Sequence, residues 1–205
     1  MGADGRKQKK IVLGLTGNIA SGKSTVCNML ERLGADIIDT DKVAHSVMGS
    51  GPVPLAIARR FGAEVLNADG SVDRTKLGPI VFSDPAALAD LDRIVHPAVV
   101  RATEERVAAS AAPVVVVDAV KLIEAGIHKQ CDQIWVVVAP PEQQADRLMR
   151  TRNLGEDNAW LRIRAQTPIE EKLHYADTVV DNGGTLDQTW EQVSSAYERL
   201  TKPKG

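Results

Sequence analysis

The sequence predicts a three-layer α/β fold, a five-stranded parallel sheet with helices on both faces, and three observations point to it. The apolar run Ile11-Val12-Leu13-Gly14-Leu15 enters Gly17-Asn18-Ile19-Ala20-Ser21-Gly22-Lys23-Ser24, and a helical pattern leaves it. That is the strand, loop and helix setting which G-x-x-x-x-G-K-[ST] requires. Further strand-like runs at Ala35–Asp39, Val114–Asp118, Ile134–Val138 and Thr178–Val180 alternate with segments of helical periodicity. Finally, 205 residues with 43% hydrophobic content suffice for one sizeable core and are too few for two full α/β domains. One domain, residues 11–205, with an inserted lobe is expected.

The spacing within the loop has a physical basis. Gly17 and Gly22 permit turns that a Cβ would hinder, so successive N–H groups can point inward at phosphate oxygens. The helix beginning near Lys23 adds its positive end. Lys23 is expected to reach the β- and γ-phosphates and Ser24 to ligate Mg²⁺. Residues Asn18, Ile19, Ala20, Ser21, Gly22, Lys23, Ser24 and Thr25 are thus the predicted cradle for a nucleoside triphosphate.

Composition narrows the function class. A net charge of −2 argues against a strongly basic nucleic-acid surface. Cys27 and Cys131 lie far apart and outside any C-x-x-C spacing, which argues against a disulfide framework or a zinc site. No apolar run approaches the length of a membrane span, since Pro113 interrupts Ala111–Val117. A soluble, cytoplasmic monomer is expected. Residues 1–10, with Arg6, Lys7, Lys9 and Lys10 and no apolar periodicity, read as a flexible basic tail.

After the loop, Val26, Met29, Leu30 and Leu33 mark a helix with one buried face, stopped by Gly34. The second strand, Ala35–Asp39, leads into Asp39 and Asp41, two carboxylates where a parallel sheet presents its ligand crevice. Asp41 could also cap the helix starting at Lys42. Between about residues 45 and 110 the β–α alternation stops. Pro52 and Pro54 open a helix ending at Gly62, Asn67–Gly70 reads as a tight turn, and Ser83-Asp84-Pro85 starts a helix interrupted at His96-Pro97 and resumed from Val99. Such an insertion suits a second substrate.

Val114–Asp118 reads as a buried strand ending in a candidate metal-site carboxylate, Asp118, with Lys121 and Glu124 nearby. After the fourth strand, Ile134–Val138, Pro140-Pro141 opens an arginine-rich helical segment containing Arg147, Arg150, Arg152, Arg162 and Arg164. Planar, permanently positive donors on a mobile cover suit a phosphoryl-transfer site. The fifth strand ends at Asp181-Asn182-Gly183-Gly184, a loop suited to close approach by a purine, and a helix around Leu186–Leu200 closes the core.

From about Ile11 to the last helix, the chain resembles the dephospho-coenzyme A kinases. The resemblance is carried by Leu15–Thr25, Gly34–Ala44, His96-Pro97, Gln166–Lys172 and Ala176–Gly184, in order and spacing. It implies a phosphate-loop kinase fold and transfer of the ATP γ-phosphate, with Mg²⁺, to the ribose 3′-hydroxyl of dephospho-coenzyme A. It further implies that Asp41 acts as base, that Thr16, Asp41, His96 and Lys121 lie on the acceptor side, that Asn182 and Gly183 contact adenine, and that residues 150–170 form a lid. Thr151 stands where the family carries its lid arginine, with Arg150 and Arg152 on either side; those two are the candidates. Lys121 also departs from the family's leucine. A kinase for another small alcohol or nucleoside and an ATP-binding regulatory or scaffolding protein without transfer activity are the competing readings, separated by turnover on the acceptor.

Overall fold

The computed structural model describes residues 10–202, so the basic tail read at residues 1–10 lies almost wholly outside the described residues. The chain divides into two compact units, one formed by the segments before Ile38 and after Ala109, the other by Ile38–Ala109. The predicted substrate lobe, about 45–110, overlaps the second.

The sheet carries strands β1 (Ile11–Thr16), β2 (Asp36–Asp39), β3 (Val114–Asp118), β4 (Gln133–Val138) and β5 (Thr178–Asp181) in the order β2-β3-β1-β4-β5. In the parallel register Leu13 lies beside Val116, and Leu15 beside both Asp118 and Trp135. Alternate residues of these strands therefore share a face. Leu13, Leu15, Val114, Val116, Trp135 and Val137 meet Val26, Met29 and Leu30 of α1 (Lys23–Arg32) and Val193, Ala196 and Tyr197 of α9 (Leu186–Thr201) in one core. On the opposite face, a Cβ added at Gly14 would lie 2.7 Å from Leu122 Cδ2 and 2.9 Å from Cys131 Sγ, so this glycine admits the segment between β3 and β4. Burial and the neighbouring Asp132 charge push the Cys131 thiol up to about 12, which keeps it protonated.

The second unit is helical: α2 (Thr40–Gly49), α3 (Pro52–Phe61), α4 (Arg74–Ser83) and α5 (Pro85–Ala109). Val53, Ile57 and Phe61 of α3 pack with Leu77 and Val81 of α4 and Ala87 and Ala98 of α5. The Asn67–Gly70 turn is present, closed by Gly70 N–H donating to Asn67 O at 3.0 Å and flanked by a bridge between Leu66 and Val72. One expectation is corrected here. His96-Pro97 does not interrupt the helix, because α5 runs unbroken through Pro97. Leu88, Leu91, Ile94 and Val95 before the proline and Ala98 after it enter the same core, and this shared burial outweighs one lost main-chain bond.

The arginine-rich segment is likewise two helices. α6 (Pro141–Arg152) ends at Asn153 in the left-handed conformation (φ 49°, ψ 44°), and α7 (Glu156–Arg164) and α8 (Ile169–Leu173) follow. Among the described residues, no helix is long and apolar enough to cross a membrane.

Candidate active site

Strand β1 ends at Thr16, the loop runs from Gly17 to Gly22, and α1 starts at Lys23. Each glycine is demanded by its surroundings. A Cβ at Gly17 would sit 2.5 Å from the Val137 carbonyl oxygen, and one at Gly22, where φ is +92°, would sit 1.8 Å from Asn182 Nδ2. Ala20 also has positive φ, 57°, a conformation that costs a non-glycine residue about 1 kcal/mol. Unlike α2, α4 and α9, whose first turns are capped by Asp39, Asp73 and Thr185, α1 has no side-chain cap and no acidic residue in its first turn. Its leading amides are left for an anion.

Lys23 Nζ forms an ion pair with Asp118 Oδ1 at the end of β3, and both side chains are about one-sixth exposed. The β1–β3 register, which sets Leu15 beside Asp118, produces this pairing. Ser24 is exposed at the second position of α1, and Thr25 is half-buried with its N–H donating to Gly22 O at 2.9 Å. A hydroxyl and a carboxylate are oxygen ligands of the kind that Mg²⁺ takes, in small number, alongside phosphate and water. The described residues contain no cluster of three or more His, Cys, Asp or Glu able to hold a metal by themselves.

Contacts from distant segments fix the loop. Ile19 N–H donates to Gln166 Oε1 at 2.6 Å and Asn18 Nδ2 to Thr167 O at 3.3 Å, while Ile19 and Ala20 pack against the apolar cluster of Ala145, Leu148 and Ala159. The Asn18 Oδ1 and Ser21 Oγ atoms are buried and have no hydrogen-bond partner among the described residues. Thr16 is fully buried, its hydroxyl donating to Val120 O at 3.1 Å. Asn182 is buried, donating from Nδ2 to Ser21 O at 2.9 Å and accepting at Oδ1 from Thr189 Oγ1 at 3.0 Å. Gly183 lies so near Pro140 that a Cβ would approach Cδ to 2.8 Å.

The structure thus brings Thr16, Asn18–Thr25, Asp118, Asn182 and Gly183 together in the first unit. Lys121 is exposed beyond β3 and lines a cavity of about 160 Å³ with Asn18, Glu124, Gln166 and Lys172. Arg150 and Arg152 are exposed at the C-terminal end of α6. Asp41 and His96 belong to the second unit, Asp41 exposed in the first turn of α2 and His96 half-buried on α5. Asp41 does not cap its helix. Asp39 does, accepting from the N–H groups of Asp41 and Lys42 at 2.9 and 3.2 Å, and Asp41 is exposed.

Two residues outside the predicted catalytic and binding set bond to the loop and to the segment after β3. Arg147 on α6 donates to the Ala20, Ser21 and Asn182 carbonyl oxygens, and Lys172, 2% exposed, donates to Val120 O at 2.8 Å and Glu124 Oε1 at 2.6 Å. The available signal for Arg147 was helical position, since it adjoins the buried stripe of Gln144, Ala145 and Leu148. Burial pushes the Glu124 carboxyl up, but the Lys172 hydrogen bond and charge, with main-chain and Thr167 bonds, together hold it below the ordinary glutamate value. A group so depressed stabilises the fold fully above its unfolded value, and loses that contribution as pH falls below it. Replacing Lys172 with methionine is expected to cost about 2 kcal/mol, discounted because water reaches Glu124. The change should appear as a lower denaturant midpoint at unchanged m-value, with a flattened loss of stability on acidification through and below the ordinary glutamate range.

A family model described as dephospho-CoA kinase matches residues 11–188. A dephospho-CoA kinase of Geobacter metallireducens is 46% identical over 197 residues, covering 94% of this chain and 98% of that one. Among solved structures, TT1252 from Thermus thermophilus is similar at TM-score 0.81 and 34% identity, covering 95% of this chain and 99% of the other. The dephospho-CoA kinase from Campylobacter jejuni is similar at TM-score 0.69 and 26% identity, covering 93% and 96%.

Proposed function

The chain belongs to the dephospho-CoA kinase family, and from that premise we propose that it phosphorylates the ribose 3′-hydroxyl of dephospho-coenzyme A with ATP, the last step of coenzyme A synthesis. The observation that carries this reading is the glycine loop opening onto the uncapped start of α1, with the Lys23 ammonium held at its mouth by Asp118.

In this mechanism the amides of the loop and of the first turn of α1 take the β- and α-phosphate oxygens, and Lys23 leaves Asp118 for the β- and γ-phosphates. Ser24 and Asp118 would hold Mg²⁺, which would supply neutralisation of phosphate charge when bound. The in-line transition state is loose, so charge stabilisation outweighs proton removal. Lys23 provides it from the loop, and Arg150 or Arg152 provides it from the lid at 150–170. Asp41, freed from capping duty by Asp39, accepts the 3′-hydroxyl proton, with His96, Lys121 and Thr16 on the acceptor side. Asn182 and Gly183 border the purine.

The test is a coupled ADP-release assay with ATP, Mg²⁺ and dephospho-coenzyme A. The Asp41→Asn variant is expected to lose about a hundredfold in kcat, the usual contribution of a general base. A near-normal rate would remove Asp41 from that role.

A further inference from the structure

The loop's main-chain carbonyls are held by side chains from two distant segments. Arg147 Nη1 donates to Ala20 O at 3.1 Å and Ser21 O at 3.0 Å, while Nη2 donates to Asn182 O at 2.7 Å and Gln143 Oε1 at 3.3 Å. Ser21 O also receives Asn182 Nδ2 at 2.9 Å, so two donors from separate segments seize the same oxygen. In a planar trans peptide the C=O and the following N–H point in opposite directions. Ala20 O on Arg147 therefore turns the Ser21 N–H the other way, where it closes the loop on Asn18 O at 3.1 Å. Ser21 O on Arg147 and Asn182 turns the Gly22 N–H away from them in the same manner.

Ala20 is in the left-handed region at φ 57°, Gly22 at 92°, and a Cβ on Gly22 would run into Asn182 Nδ2 at 1.8 Å and come within 3.3 Å of Arg147 Nη1. Asn182 is itself fixed by Thr189 Oγ1 at 3.0 Å and is 4% exposed. Strained backbone of this kind persists only where its surroundings hold it, and these two side chains supply the hold.

We infer that Arg147 is a positioning residue which, together with Asn182, sets the plane of the Ser21–Gly22 peptide so that the Gly22 N–H is delivered to a phosphate oxygen. The inference rests on the reading of the loop as a triphosphate cradle. It assigns the guanidinium to the rear of the cradle, where it grips carbonyls, and requires no contact between Arg147 and the nucleotide. The planar fork matters, because a point charge cannot span three carbonyl oxygens.

The experiment uses the full chain. Arg147→Lys keeps the charge and loses the fork, and Arg147→Met removes both the charge and the donors while keeping an unbranched apolar stem. Both are expected to weaken ADP binding measured by calorimetry by about tenfold, as loss of charge-assisted hydrogen bonds would. KM for ATP should rise in step, with kcat within about threefold and KM for dephospho-coenzyme A unchanged, the pattern of lost uniform binding. In ¹⁵N spectra, ADP should shift and protect the Gly22 amide in the unaltered chain and fail to do so in Arg147→Lys. ADP affinity within about twofold of the unaltered chain in either variant, equal protection of Gly22, or a lowered unfolding temperature with unchanged ADP affinity would each overturn the inference. Should the unaltered chain bind ADP and protect Gly22 yet phosphorylate no dephospho-coenzyme A, the proposed activity fails and the positioning role stands.

Discussion

Replacing Lys23 with methionine is expected to lower kcat for phosphoryl transfer by about a thousandfold or more, the scale set by removing a preorganised charge from a developing transition state. Methionine keeps the length and most of the apolar stem of the side chain, so the substitution removes the ammonium with little change in packing. The same variant loses the ion pair to Asp118, whose carboxylate is only 15% exposed, and a carboxylate stripped of its cation at that depth costs about 2 kcal/mol. Activity and stability therefore fall together in the single variant, and a second substitution separates them. In Lys23→Met/Asp118→Asn the buried charge is gone, so the denaturant midpoint should recover while kcat stays low. Steady-state kinetics and equilibrium unfolding on the same two variants measure both quantities; a kcat within tenfold of the unaltered chain would remove Lys23 from transition-state stabilisation.

Most of the first unit was legible in the sequence because its signals are local. A β-branched run such as Val114–Val117 lies in the sheet interior wherever it is placed in the chain, and the strands at Ile11, Ile134 and Thr178 followed from the same pattern. The phosphate loop was legible for a related reason, since Gly17 and Gly22 stand where a Cβ would strike Val137 O or Asn182 Nδ2. The continuity of α5 was illegible because Pro97 is a local breaker, and what overrides it is a core assembled from α3, α4 and α5. Arg147 shows the limit most clearly. In sequence it is one arginine among several on an arginine-rich stretch, and the exposed Arg150 and Arg152 carry the same composition signal. Only the packing of Ala145 and Leu148 against Ala159, which turns that side of α6 toward Ile19 and Ala20, marks Arg147 as the one directed at the loop. Likewise Asp39 and Asp41 are equivalent as a spaced pair of carboxylates; the cap hydrogen bonds at Asp39 distinguish them.

The Gly22→Ala variant is expected to lose ADP binding by about a hundredfold and stability by about 3 kcal/mol, since it combines two separable penalties. The first is conformational: φ of +92° is a region where alanine is strained by about 1 kcal/mol. The second is a collision, because the new methyl would lie 1.8 Å from Asn182 Nδ2, forcing that amide off Ser21 O and away from its bond with Thr189. Gly34→Ala provides the comparison that isolates them. Gly34 has nearly the same φ, +95°, with nothing among the described residues within 4 Å of the added methyl, so it carries the strain without the collision. Gly34→Ala should therefore shift the denaturant midpoint by about 1 kcal/mol and leave ADP affinity unchanged. The excess loss in Gly22→Ala then measures the contact with Asn182, and a restoring substitution follows from it. Asn182→Ala in the Gly22→Ala background makes room for the methyl and should recover part of the stability, whereas ADP affinity should stay low because the donor to Ser21 O is still missing. Recovery of full ADP affinity in the double variant would mean that the loop's shape depends on space alone and owes nothing to the side chain that grips its carbonyl.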